Sequence, residues 1–162
     1  MKIDLDDIKS YAAKSRPEIL RDIARIVSVP SVEGKPEPDA PFGREPKKAL
    51  DLALSIAEEL GLSTRNFENK IGCAELFGES EKYIATITHV DVVPAGDGWS
   101  ADPFTMRERD GWIIGRGVLD DKGPSIICLY ALKYLKDKKI PLRYGVRALL
   151  GANEETHMHD VE

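Results

Sequence analysis

Three apolar, β-rich runs of the chain each end in residues that can bind a metal ion, and this placement restricts the possible folds. The runs cover residues 83–88, 112–115 and 143–150, and His, Asp and Glu follow them among several glycines. In open α/β sheets, ligands bind at the carboxyl ends of the strands, where the loops leave the sheet. The pattern therefore predicts an α/β domain with a ligand site along one edge of its sheet.

The helical part of this prediction rests on apolar residues that recur at helical spacing in three segments. The predicted helices run from Arg16 to Ser28, from Pro46 to Leu60 and from Pro124 to Lys138. The first helix is expected to begin at a capping box formed by Ser15 and Glu18. Because helices alternate with β-rich runs, the sequence favours the α/β class.

The β-rich runs are expected to form a mixed sheet flanked by helices. Residues 71–77 and 83–88 are separated by turn residues at 78–80, so they are predicted to pair as antiparallel strands. The runs at 112–115 and 143–150 are expected to supply the remaining strands.

Composition limits the classes of partner. Lys and Arg total 23 against 28 Asp and Glu, which gives a net charge of −5 and suits neither nucleic acid nor anionic membranes. No stretch approaches the roughly 18 apolar residues of a membrane span, and the N-terminal residues lack the apolar core of a secretory signal. Cys73 and Cys128 lie in apolar runs and are expected to be reduced, buried thiols. These features predict a soluble, cytoplasmic protein without nucleic-acid or membrane partners.

His89 and Asp91 form the first candidate group. Asp91 lies two residues after His89, so an extended backbone points both side chains to the same side. A carboxylate there can fix the tautomer of a metal-bound imidazole. The alternative is a histidine at a strand end beside a capping aspartate.

The second group is the glycine-rich segment GRGVLDDKGP, whose adjacent acids Asp120 and Asp121 suit a hard or borderline cation. The segment is not a dinucleotide fingerprint, because Asp120 occupies the position of the third glycine. It is not a phosphate-binding P-loop, because it lacks Gly-Lys-Ser/Thr. The alternative is a helix N-terminus at which acids interact favourably with the helix dipole.

The third group is Glu154 and Glu155, two neighbouring glutamates that can divide metal binding and proton transfer between them. The alternative is a solvated, acidic helix start. His157 and His159 are expected to be exposed or in a turn, because the three groups already supply better-placed ligands. Together, one histidine and several carboxylates suit zinc or manganese and indicate a hydrolytic metal site.

Three motifs in this order resemble those of the M20 metallopeptidase family, and in particular its PepV-like dipeptidase branch. They are HVDVVPAGDGWSADPF at residues 89–104, GRGVLDDKGP at 115–124 and NEET at 153–156, with a weaker match in FENKIG at 67–72. The resemblance extends over nearly the whole chain. It implies the N-terminal part of a zinc-peptidase-like catalytic domain that hydrolyses dipeptides, with a small peptide as its substrate.

Carried over position by position, the resemblance implies that His89, Asp120 and Glu155 bind metal, with Asp120 bridging two ions. It implies that Asp91 orients His89 and that Glu154 is the general base. The implied cofactor is a pair of zinc ions, and manganese or cobalt are the other metals considered.

The chain departs from the family in length. Relatives supply a further acidic ligand, a distant histidine and a second domain that closes over the substrate. Residues 1–162 are therefore expected to form an incomplete catalytic domain that is inactive alone. Relatives often have a cis peptide bond where Asp120 meets Asp121, and many have glycine at the position of His157. Two alternative functions stay open: an M20 deacylase acting on N-acyl amino acids such as acetylornithine or succinyl-diaminopimelate, and a non-catalytic metal-binding fragment.

Overall fold

The computed structural model describes residues 4–161, which form three helices and six strands. In chain order these are α1 (Leu5–Val27), α2 (Arg44–Glu59), β1 (Ser63–Phe67), β2 (Ile71–Leu76), β3 (Tyr83–His89), β4 (Arg107–Arg109), β5 (Trp112–Ile114), α3 (Lys122–Asp137) and β6 (Gly145–Gly151). Four strands form a mixed sheet in the order β1-β2-β6-β3, while β4 and β5 form a separate antiparallel ribbon. The predicted α/β class and the mixed sheet flanked by helices are confirmed. The run at 112–115 forms β5 of the ribbon, so the expectation that it supplies a strand of the mixed sheet is wrong.

Strand β6 lies between β2 and β3, and the predicted antiparallel pairing of those two strands is therefore wrong. β2 pairs with β6 in the antiparallel sense, and β3 pairs with β6 in the parallel sense. The segment between β2 and β3 is not a hairpin turn, because Glu79 and Ser80 donate backbone hydrogen bonds to the carbonyls of Leu142 and Arg143. The continuous apolar residues 148–150 suit a strand in the middle of a sheet.

Helix α1 begins well before Arg16, so the predicted start and its capping box are wrong. The side chain of Asp4 caps the helix by accepting a hydrogen bond from a backbone N–H two residues later. The first turns pack on α3, where the rings of Tyr11 and Tyr134 meet edge-on with centroids 5.1 Å apart. This packing extends the helix across Pro17, which cannot donate a backbone hydrogen bond.

Strands β1 and β4 escape prediction because their sequences, STRNF and RER, lack apolar residues at alternating positions. Both are mostly exposed, and β1 forms one edge of the sheet. The remaining predicted boundaries agree with the structure to within two residues. Apolar patterning thus locates the buried elements and misses the polar ones.

The helices pack on one face of the sheet and form the hydrophobic core there. Ala74, Ala148 and Leu150 lie on this face and are 0% exposed. They share a single buried cluster with Leu50 of α2 and Leu129 of α3. The core therefore fixes β2 and β6 against the helices, and β6 in turn positions β3 through the parallel ladder.

The cysteines and the helices bear on two expectations from composition. Both cysteines have free thiols, with Cys73 buried as predicted and Cys128 only half-buried. Within residues 4–161, none of the helices is both long and apolar enough to cross a membrane.

Candidate metal centre

The carboxyl ends of β3 and β6 place two of the predicted groups side by side. The strands are adjacent and parallel, and His89 is in register with Gly151 at the end of β6. Beyond the strands, the backbone N–H of Val90 donates to the Gly151 carbonyl at 2.8 Å. The loop after β6, which carries Glu154 and Glu155, therefore lies next to the residue that ends β3.

The three residues predicted to bind metal lie together. One ligand atom from each of His89, Asp120 and Glu155 lies within 4.8 Å of the other two. His89 Nε2 is 3.1 Å from Asp120 Oδ1 and 3.6 Å from Glu154 Oε2. An imidazole among carboxylates is a donor set of zinc and manganese sites, so these residues fit a metal ion.

Asp91 is buried between the ends of the two strands and contacts both. It is 1% exposed, and His89 Nδ1 lies 3.2 Å from its backbone carbonyl oxygen and 3.3 Å from its Oδ1. The same carboxylate accepts hydrogen bonds from the backbone N–H groups of Glu154 at 3.1 Å and of Glu155 at 3.0 Å. Asp91 therefore holds the imidazole so that Nε2 faces Asp120 and Glu154. It also fixes the backbone of both glutamates, a contact that the sequence does not predict.

The loop before α3 brings Asp120 to the site, and the peptide bond between Asp120 and Asp121 is cis, as the resemblance implies. Asp121 Oδ2 accepts a hydrogen bond from the backbone N–H of His89 at 3.2 Å. Ser125, in the first turn of α3, donates its hydroxyl to the carbonyl of His89 at 3.0 Å. Both backbone polar groups of His89 are thus tied to the segment that carries Asp120.

The site is strongly acidic. Burial disfavours the charged form of His89, but the carboxylates of Asp91, Asp120 and Glu154 outweigh burial and raise the pKa of the imidazole to about 9. Burial, with a contribution from Asp120, raises the pKa of Glu155. A cation held among these carboxylates would reduce their mutual repulsion.

A cleft of about 390 Å³ opens beside the ligand group. Its walls include His89, Asp120 and Glu154, and its apolar part is supplied by Ile87 and Met158. This volume lies within the usual range for small-molecule sites, and apolar walls with a few polar groups are typical of them. The candidate metal ligands therefore face a space that a small substrate can enter.

Asn153 organises the loop after β6, and sequence reasoning assigned it no role. It is 0% exposed, and its side-chain amide donates to Glu33 Oε1 at 3.1 Å. Its backbone N–H donates to Asp160 Oδ2 at 3.0 Å, and its side-chain oxygen accepts from the backbone of His159 at 3.4 Å. The sequence signal that could have indicated this role is the position of Asn153 at the start of the NEET motif, directly before the two glutamates.

The two remaining histidines are exposed, as predicted. His157 and His159 contact each other, with ring centroids 5.3 Å apart, and neither belongs to the ligand group. The left-handed backbone of this loop occurs at Met158, where φ is 56°. The turn therefore does not place the residue at 157, where many relatives have glycine, in a left-handed conformation.

Comparison with known proteins identifies the same region. Residues 85–160 match the model of the peptidase family M20/M25/M40. The chain is 38% identical over 151 residues to YtjP of Bacillus subtilis, provisionally named a dipeptidase, and the match covers 92% of this chain and 32% of YtjP. A provisionally named dipeptidase of Staphylococcus haemolyticus is 39% identical over 141 residues, which cover 86% of this chain and 30% of that protein. The chain thus spans about a third of the length of these relatives.

Solved structures share the fold. Human carnosine dipeptidase 1 superposes with a TM-score of 0.81 at 22% identity, over 98% of this chain and 36% of that protein. An M20 family metallo-carboxypeptidase from Sulfolobus solfataricus superposes with a TM-score of 0.72 at 26% identity, over 85% of this chain and 31% of that protein. The matching family model, the similar sequences and the shared fold agree, and the chain belongs to the peptidase family M20/M25/M40.

Proposed function

We propose that this chain carries part of the active site of a metal-dependent dipeptidase with two co-catalytic metal ions. The observation that carries the proposal is the convergence of His89, Asp120 and Glu155, with Glu154 beside them, at the edge of a cleft. The dipeptidase names of similar proteins support a dipeptide as the substrate.

We assign His89, Asp120 and Glu155 as the residues that would hold the metal. Zinc is the proposed metal, because an imidazole with carboxylates forms many of its hydrolytic sites. When bound, the metal supplies Lewis acidity that polarises the scissile carbonyl and makes water more acidic. Asp91 keeps the His89 ring oriented, and its hydrogen bond from the backbone N–H of Glu155 fixes the position of a second proposed ligand.

The proton transfers are assigned to Glu154. Its carboxylate is partly exposed and lies 3.6 Å from His89 Nε2, so it faces the same space as the ligands. A general base there takes a proton from the attacking water and returns it to the amine that leaves when the peptide C–N bond breaks. The backbone bond to Asp91 holds Glu154 in this position without using its carboxylate.

We also propose that residues 1–162 form the N-terminal part of a larger catalytic domain. The length of the relatives supports this, and so does the sheet, in which β3 is an edge strand. Ile84 and Ile87 on β3 are 60% and 67% exposed. Apolar side chains on an open edge are suited to be covered by a further segment. We therefore expect the isolated chain to have little activity.

The test is dipeptide hydrolysis by the natural protein that contains these residues, with and without a chelator. We expect activity that a chelator removes and zinc restores. Glu154→Gln is expected to lower kcat about 10²- to 10⁴-fold, the usual contribution of a general base, while metal affinity stays near the wild-type value. Glu81→Gln, at an exposed glutamate outside the site, is the matched control.

Two outcomes would count against the proposal. Chelator-resistant hydrolysis would exclude the metal site as the catalytic centre. Turnover of N-acetyl amino acids in preference to Ala-containing dipeptides would keep the metal chemistry and replace the dipeptidase assignment with the deacylase one.

A further inference from the structure

Lys122 is a fully buried lysine close in sequence to the candidate metal centre. It is the first residue of α3, two residues after Asp120, and it is 0% exposed. Its ammonium group donates to the backbone carbonyl of Val29 at 2.5 Å. None of the ion pairs within residues 4–161 includes Lys122, and Asp91 and Glu45 act on it only through space.

The stem of Lys122 packs against the loop that leads to Asp120. Gly117 adopts a left-handed backbone, and a Cβ there would lie 2.9 Å from Lys122 Cδ and 3.0 Å from Val92 Cγ1. The carbonyl of Gly117 accepts the backbone N–H of Gly123 at 3.2 Å, which closes the loop around this stem. The loop therefore packs closely against the lysine side chain.

The carbonyl that Lys122 binds belongs to a segment fixed to the end of β3. Ser31, two residues after Val29, donates its hydroxyl to the carbonyl of Val90 at 2.6 Å. The carbonyl of Ser31 accepts the backbone N–H of Val92 at 3.1 Å. Ser31 is thus hydrogen-bonded to the residues on either side of Asp91. Lys122 thus links the backbone that carries Asp120 to the backbone that carries His89 and Asp91.

A buried amine is expensive to desolvate, and an apolar side chain of the same length would fill the space without that cost. What lysine supplies, and an apolar side chain of the same length does not, is the hydrogen bond to the carbonyl of Val29. We propose that Lys122 is a positioning residue that sets the distance of Asp120 from His89, an inference that rests on the proposed metal site.

The test compares zinc affinity and unfolding free energy in two variants that remove the same kind of bond. Lys122→Met keeps the length of the stem and removes the ammonium group. Lys136→Met is the matched control, because Lys136 donates to the carbonyl of Leu60 at 3.2 Å, at the end of α2 and away from the site. Zinc binding is measured by competition with a chromogenic chelator, and unfolding is measured with urea.

We expect Lys122→Met to bind zinc about 10- to 100-fold more weakly, the range seen when groups that orient metal ligands are removed, while it stays folded. Lys136→Met should bind zinc like the wild type. Lys122→Gln, which keeps a shorter N–H donor, should recover part of the affinity. Wild-type zinc affinity in Lys122→Met would overturn the proposal.

Loss of folding in both Lys122 variants would also overturn it, because the lysine would then support the whole domain and not the ligand spacing. The proposed metal site is tested separately by His89→Ala in the same assay. If the wild-type chain and His89→Ala bind zinc equally, the metal site itself fails. If they differ and Lys122→Met equals the wild type, only the positioning role fails.

Discussion

Two buried aspartates show how differently this fold uses a carboxylate. Asp22 of α1 and Asp91 after β3 are each 1% exposed. Asp22 accepts hydrogen bonds from the guanidinium groups of Arg21 and Arg25, both at 3.0 Å, and from the hydroxyl of Tyr130 at 2.8 Å. It thus has two cations of its own and joins α1 to α3.

Asp91 has no arginine or lysine partner of its own. Its carboxylate is held by the imidazole of His89 and by two backbone N–H groups, and further acids crowd the same space. No ion pair within residues 4–161 joins an arginine or a lysine to Asp91, Asp120 or Glu154. The comparison teaches that a buried acid with its own cations stabilises packing. A buried acidic cluster without arginine or lysine partners is suited to the metal ion that we propose for it.

The largest expected effect that separates the two regions is the loss of metal binding in His89→Ala. Removing the imidazole should weaken zinc binding by more than about 100-fold, because even outer-shell changes cost about 10- to 100-fold. His157→Ala removes an exposed histidine of the neighbouring loop and should leave the affinity unchanged. Isothermal titration with zinc measures both. Equal loss in the two variants would place the metal elsewhere.

The next effect compares the two aspartates directly. Asp91→Asn should weaken zinc binding about 10- to 100-fold, because the amide no longer supports the imidazole as a carboxylate does. Asp22→Asn should bind zinc like the wild type, because its partners are all in the helical layer. The same titration distinguishes them. Weakened zinc binding in Asp22→Asn would show that the helical network is coupled to the site.

Asp22→Asn, which should leave zinc affinity unchanged, is expected to lower the stability of the fold. Asp22→Asn should lower the free energy of unfolding by about 1–3 kcal/mol, the usual cost of leaving buried polar groups poorly paired. The variant keeps the side-chain volume, so the core should be unaffected. Urea unfolding of the metal-free chain gives the value. An unchanged urea midpoint would mean that the Asp22 network does not stabilise the fold.

The smallest expected effect is a pH dependence of the difference in unfolding free energy between the wild type and Asp22→Asn. Burial disfavours the charged form of Asp22, but the hydrogen bonds from Arg21, Tyr130 and Arg25 outweigh burial and lower its pKa below 3.8. The stabilisation is therefore fully present above the ordinary aspartate pKa and is lost as the pH falls through the lowered folded value. The wild type and Asp22→Asn should converge in unfolding free energy below about pH 4. A gap that widens in acid would contradict the assignment.

Sequence reasoning succeeded where the signal is local. His89 and Glu154 follow the adjacent parallel strands β3 and β6, and the common placement of strand ends in α/β sheets is enough to bring these two together. Asp120 follows β5, which lies outside this sheet, and reaches the site through the loop before α3. Sequence reasoning failed for the pairing of β2 with β3, because β6 comes from the far end of the chain to lie between them. The residues between β2 and β3 give no sign that a strand so distant in sequence pairs with both.

The supporting contacts also escaped prediction, for a related reason. Asn153 reaches Glu33, and Lys122 reaches Val29, across sequence separations of 120 and 93 residues. A sequence pattern shows that a residue is polar, but its partner depends on the complete fold. The start of α1 was missed because packing of Tyr11 on α3 overrides the local helix signals around Pro17.

The most direct test of the central claim is X-ray absorption spectroscopy of the zinc-loaded chain, which reports the atoms bound to the metal. The account predicts nitrogen and oxygen ligands with the multiple scattering of one imidazole, and loss of the imidazole signal in His89→Ala. Sulfur ligands from Cys73 or Cys128, or a spectrum that His89→Ala leaves unchanged, would contradict it.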